Sequence, residues 1–130
     1  MSAVEKGLME QAGGRILLFH MTGPMSFSSA KYIVRRHAGI TSYELMLLDL
    51  TDVPVIDYTT ARALEDMIID ARHDGRDVFL IGPCRAVRKM LESQKVIRHL
   101  GAGHIYAQRE EALRHALSVL ESSSVEHAQA

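Results

Sequence analysis

The sequence predicts an α/β fold, a single domain in which helices pack against a mixed β-sheet. Apolar runs of strand length alternate with stretches whose apolar residues recur every three to four positions. Glycine and proline bracket most of those runs. A chain of 130 residues with 47% hydrophobic content suits one core, and no internal repeat, long linker or low-complexity block supports a second domain.

The elements follow in order. Residues 15–21, RILLFHM, sit between Gly13-Gly14 and Gly23-Pro24 and predict a strand, and the glycine pair predicts a hairpin that joins it to residues 7–11. From Ser26 the period changes: Phe27, Ala30, Val34 and Ala38 fall on one helical face, with Lys31, Arg35 and Arg36 elsewhere. Residues 45–50 are apolar except for Asp49, as a central strand covered on both faces requires. A second helix carries Ala61, Leu64, Met67, Ile68 and Ala71 on its core stripe, and Gly75 is placed to end it in a left-handed conformation. DVFLI at 77–81 predicts the next strand, ended by Gly82-Pro83. A third helix is expected from Cys84 or Arg85, with Val87, Met90 and Leu91 inward and Arg85, Arg88 and Lys89 outward. The segment 96–105 is poorly specified, because Gly101 and Gly103 interrupt it, and a short strand is expected near 104–106. The closing helix has Glu110 and Glu111 in its first turn, where the helix dipole favours them, and an apolar stripe of Ala112, Leu113, Ala116, Leu117 and Leu120. The domain is therefore expected to span residues 1–121, with 122–130 a flexible tail.

Composition excludes several classes of function. The formal net charge is -1, and 15 basic residues are dispersed among 16 acidic ones, so no basic face for nucleic acid is expected. Cys84, the only cysteine, cannot form an intramolecular disulfide, and MSAVEKG lacks the organisation of a signal peptide; both point to a cytosolic domain. The longest uninterrupted apolar runs, 16–19 and 45–48, fall far short of the ~20 residues that span a bilayer.

Catalytic and metal chemistry find little footing. His20, His37, His73, His99, His104, His115 and His127 show no i, i+4 pairing or HExxH arrangement, so no metal is expected. Cys84 beside Arg85 near a helix start has the setting of a lowered thiol pKa, but no His/Asp set accompanies it, and an inert cysteine is the simpler reading. Gly101-Ala102-Gly103 lacks both the third glycine of GxGxxG and the lysine of a P-loop, so no nucleotide cofactor is expected. Asp49, Asp52 and Asp57 are carboxylates that one sheet edge would gather, where open α/β sheets bind ligands; capping and solvation explain them with fewer assumptions.

The most specific stretch is Asp57-Tyr58-Thr59-Thr60, where a loop enters the second helix. Asp57 precedes the helix as an N-cap does, able to accept from the free N–H groups of Thr59 or Thr60. A hydroxyl at Thr59 lies in the first turn, where exposed N–H groups and the dipole welcome an anion, so a phosphate added there would be held locally while changing the surface charge. A cap alone and a regulatory switch are both open.

LLDLTDVPVIDYTTARALEDMI, residues 47–68, resembles the strand-loop-helix signature of STAS domains, shared by bacterial anti-sigma factor antagonists and the C-terminal cytoplasmic domains of SulP anion transporters. The likeness continues in GRDVFLIGPCRAVRKMLE and REEALRHAL, and so covers most of the chain. Where antagonists carry Asp-Ser-Ser-Gly, this chain has Asp57, Tyr58, Thr59 and Thr60, which gives Thr59 the phosphoacceptor position and replaces the family glycine with Thr60. MTGPMSFSSAKYIVRR is similar to the Gly-Pro-x-x-Phe-x-x-Ala segment of SulP transporters. The resemblance implies a STAS-like fold and the non-catalytic regulatory domain of a transporter for sulfate, bicarbonate or a related anion. It also implies attachment to a transmembrane domain of the same protein at the cytoplasmic face of the membrane, a homodimer, and acyl carrier protein or another cytosolic regulator as a partner. The alternative it leaves is a free-standing anti-sigma factor antagonist controlled at Thr59. A small enzyme built on the Asp57 loop is a third reading, for which the sequence supplies no base, nucleophile or metal.

Overall fold

The computed structural model describes residues 2–23, 43–100 and 103–129. Helix α1 (Ala3–Ala12) leads into strand β1 (Ile16–Thr22); β2 (Leu45–Asp52) is followed by α2 (Tyr58–His73), β3 (Asp77–Ile81) by α3 (Arg85–Ser93), and, after a 3-10 turn at Ile97–His99, β4 (Ile105–Tyr106) by α4 (Arg109–Gln129). The four strands form one sheet in the order β1-β2-β3-β4, and every pairing among the described residues is parallel.

The apolar strand runs are explained by burial on both sides. Side chains alternate across a strand, so Leu45 and Leu47 of β2 face one way and Met46, Leu48 and Leu50 the other. On the first face, with Phe79 and Ile81 of β3, they meet Leu8 and Ala12 of α1 and Ala112, Leu113, Ala116 and Leu117 of α4. On the second, with Val78 and Leu80, they meet Ala61, Leu64, Met67, Ile68 and Ala71 of α2 and Val87 and Leu91 of α3. Helices thus cover the sheet twice, and the stripes expected on α2 and α4 are buried. Gly75, with φ 78°, ends α2 by a Schellman motif: its N–H reaches Arg72 O, and the Arg76 N–H reaches Ala71 O at 2.9 Å.

Three sequence expectations meet a different outcome or none. The hairpin is not formed, because residues 7–11 belong to α1 and the antiparallel arm expected of a mixed sheet is absent from the described strands. The reason is local: Ser2 caps the helix by accepting from the Glu5 N–H at 3.1 Å, the Glu5 carboxylate accepts in return from the Ser2 hydroxyl and the Ser2 backbone as in a capping box, and Gly13 at φ 59° ends the helix, its N–H on Glu10 O. α4 continues as helix through residues 122–129, the stretch expected to be a loose tail; SSSVEHAQ contains no glycine or proline to stop it. The helix expected from Ser26, with Phe27, Ala30, Val34 and Ala38, lies outside the described residues, as do His37 and nearly all of the Gly-Pro-x-x-Phe-x-x-Ala segment.

Candidate functional site

Because the strands are parallel and each of β2, β3 and β4 is followed by a helix, the starts of α2, α3 and α4 collect at the carboxyl edge of the sheet. That edge is where open α/β sheets bind their ligands. It carries two separate constellations.

The first is the start of α2. Val53 and Ile56 bury their side chains and anchor the entering loop, leaving Val55 and Tyr58 half exposed between and after them. Asp57 is extended, with φ -92° and ψ 175°, and its Oδ1 accepts from the Thr60 N–H at 2.7 Å, so it is the expected N-cap. That N–H holds the Asp57 carboxyl below its ordinary range. Tyr58 and Thr59 point to solvent, whereas Thr60 is buried. The four residues therefore divide: one caps, one is enclosed, and two face outward. A phosphate on Thr59 would be drawn by the first-turn N–H groups and repelled by the Asp57 carboxylate. Cys84, at the start of α3, shares its thiol proton between Val53 O at 3.6 Å and Pro54 O at 3.4 Å, and so ties this loop to the next helix.

Of the second constellation the sequence showed the aspartates but not Arg109 or Glu5. Asp49, near the end of β2, is buried, and Arg109, the first residue of α4, reaches its Oδ2 at 3.0 Å. Asp49 Oδ1 accepts from the Thr51 N–H at 3.0 Å and the Thr51 hydroxyl at 2.5 Å. Arg109 also pairs with Glu5 of α1, and each partner stabilises the other's charge: the Glu5 carboxyl is held low and the guanidinium pKa is raised. A cation in the first turn of a helix opposes the helix dipole, and the two carboxylates offset that. These groups border a cleft of about 380 Å³ lined by Ser2, Glu5, Asp49, Thr51, Asp52 and Gln108 among others. Of the three aspartates expected at this edge, Asp49 and Asp52 share the cleft and Asp57 does not. Asp52 pairs with His20 at 2.8 Å.

No cluster of three metal-ligating side chains occurs among the described residues. His99 lies 3.3 Å from Glu65, and His115 meets the Tyr106 hydroxyl. No helix among the described residues is long and apolar enough to cross a membrane.

A STAS-domain family model matches residues 9–112. The chain is 38% identical over 120 residues to the bicarbonate transporter BicA of Synechocystis sp., which covers 92% of this chain and 21% of the transporter. It thus spans about a fifth of the length of that curated relative. Among solved structures, the STAS domain of a SulP transporter from Vibrio cholerae superposes with a TM-score of 0.76 at 25% identity, covering 93% of this chain and 99% of that one. A putative anti-sigma factor antagonist from Thermotoga maritima gives 0.68 at 17% identity, over 78% of this chain and 86% of the other, a likeness of fold.

Proposed function

The chain belongs to the STAS domain family, and from that premise we propose that it is the regulatory and dimerisation domain of a SulP-type secondary anion transporter carrying sulfate, bicarbonate or a related anion. The observation that carries the proposal is the 38% identity to BicA across 92% of this chain. In this reading residues 1–121 form the domain, which catalyses no reaction and sits at the cytoplasmic face of the membrane. Its partners are the transmembrane domain of the same protein, a second copy of the chain, and a cytosolic regulator such as acyl carrier protein. The exposed Thr59 and Tyr58 beside Asp57 are the surface through which we propose that such a regulator acts.

The test is the reading frame upstream of Met1. Ten or more apolar spans of about 20 residues support the transporter; a start codon at Met1 with no spans and a neighbouring kinase gene overturns it. That outcome would favour the antagonist reading, which the solvent-facing Thr59 hydroxyl supports, and phosphorylation of Thr59 by that kinase, lost in Thr59→Ala, would be its test.

A further inference from the structure

The junction of β3, β4 and α4 holds two imidazoles against one phenyl ring. Phe79 is fully buried, with His104 at 4.6 Å between ring centroids and His115 stacked on it at 5.3 Å and 13°. Tyr106 packs 5.2 Å from Phe79, and its hydroxyl hydrogen-bonds His115 Nδ1 on α4. The strand between them is two residues long. The backbone bonds that hold it to β3 include those from the Leu80 N–H to His104 O at 2.9 Å and from the Gly82 N–H to Tyr106 O at 2.7 Å.

His104 Nδ1 is buried and has no hydrogen-bond partner. A bare ring nitrogen forgoes only an acceptor's bond there. A proton on it would place a donor and a charge where burial disfavours both. The charges around the ring do not repair this. Asp77 and the Val78 backbone of β3 favour the proton, but Asp77 already pairs with Arg72 of α2 at 3.5 Å, and Arg72 itself and His115 of α4 oppose it. Burial is the largest effect and places the imidazole below its ordinary pKa.

We propose that this junction is an acid-released clasp: protonation of His104 frees β4 from β3, and with it the Tyr106–His115 tie to α4, while the β1–β2–β3 sheet stays folded. The direction follows from linkage. A lowered folded pKa means that the opened strand binds the proton more readily, so stability is complete above the ordinary value of 6.5 and falls as pH drops below it. With an opened imidazole titrating near 6.5, lowering the pH from 7.5 to 5.5 favours opening by at most about ten-fold.

Hydrogen exchange on the 130-residue chain at pH 7.5 and 5.5, corrected for intrinsic rates, tests this. Protection at the Leu80 and Gly82 amides is expected to fall by up to about ten-fold at the lower pH while that at Leu47 holds, and His104→Phe, which keeps a ring on Phe79, should remove the effect. Unchanged protection at Leu80 and Gly82, an equal loss at Leu47, or the same loss in His104→Phe would overturn the proposal. Should the variant not fold, an NMR titration of the wild-type imidazoles joins the exchange data: a His104 midpoint below 6.5 together with protection at Leu80 and Gly82 that falls below pH 6.5 supports the clasp, and a midpoint at or above 6.5 refutes it.

Discussion

Gly82→Ala probes the packing at the carboxyl edge most sharply. Gly82 follows β3 with φ +61°, and an added Cβ would lie 2.4 Å from Thr51 Oγ1 and 3.2 Å from Thr51 Cα. The left-handed backbone alone costs an alanine about 1–2 kcal/mol. Thr51 can swing its hydroxyl away by rotating about χ1, but this forfeits the 2.5 Å bond to Asp49, and a hydrogen bond to a charged group contributes roughly 1.5–3 kcal/mol. The two effects together give a loss of about 2.5–5 kcal/mol. Unfolding entropy of about 2.1 cal/mol/K per residue makes each kcal/mol worth roughly 4 °C in a chain of 130 residues, so Tm should fall by about 10–20 °C. Thermal melts of the wild type, Gly82→Ala, Thr51→Ala and the double variant form a cycle. Because Thr51→Ala already lacks the hydroxyl, the double variant should be less destabilised than the two singles added together. A Gly82→Ala melt within about 3 °C of wild type, or a strictly additive cycle, would refute this account.

Arg109→Gln leaves the buried Asp49 without its guanidinium and should cost roughly 3 kcal/mol by urea unfolding, with Arg109→Lys intermediate because one ammonium cannot span Asp49 and Glu5 as a guanidinium does. Ser2→Ala removes the α1 cap and should cost about 1 kcal/mol, visible as faster amide exchange confined to α1 and its contact with α4. Asp57 has a lowered folded pKa, so its contribution to stability is present above the ordinary value of 3.8 and is lost as pH falls through the folded one; Asp57→Asn keeps an acceptor for the Thr60 N–H and should flatten that acid limb in melts between about pH 5 and pH 2. An unchanged acid limb in Asp57→Asn would assign the loss to other carboxylates.

The parts of the fold legible in the sequence are those fixed within a short span. β2 and β3 are continuous apolar runs because both faces are covered, and the α2 stripe repeats at helical spacing over three turns. Asp57 was recognisable as a cap because donor and acceptor are three residues apart. The hairpin expectation failed because Gly13-Gly14 serves a helix end as readily as a turn, and five residues, GLMEQ, fit either period. The Ser2-x-x-Glu5 box and the four-residue spacing of Leu8 and Ala12 carry the helical signal.

What the sequence determined by itself was the alternation of strand and helix, the capped start of α2 and the burial of its stripe, because propensity, capping and amphipathic period act between neighbours. What only the tertiary structure decided was which distant groups meet. Arg109 joins Asp49 across 60 positions and Glu5 across 104, Gly82 leaves room for Thr51, and His104 and His115 close on Phe79. No local pattern encodes those encounters: they arise when parallel strands bring three helix starts to one edge and burial selects the partners that satisfy one another's charge.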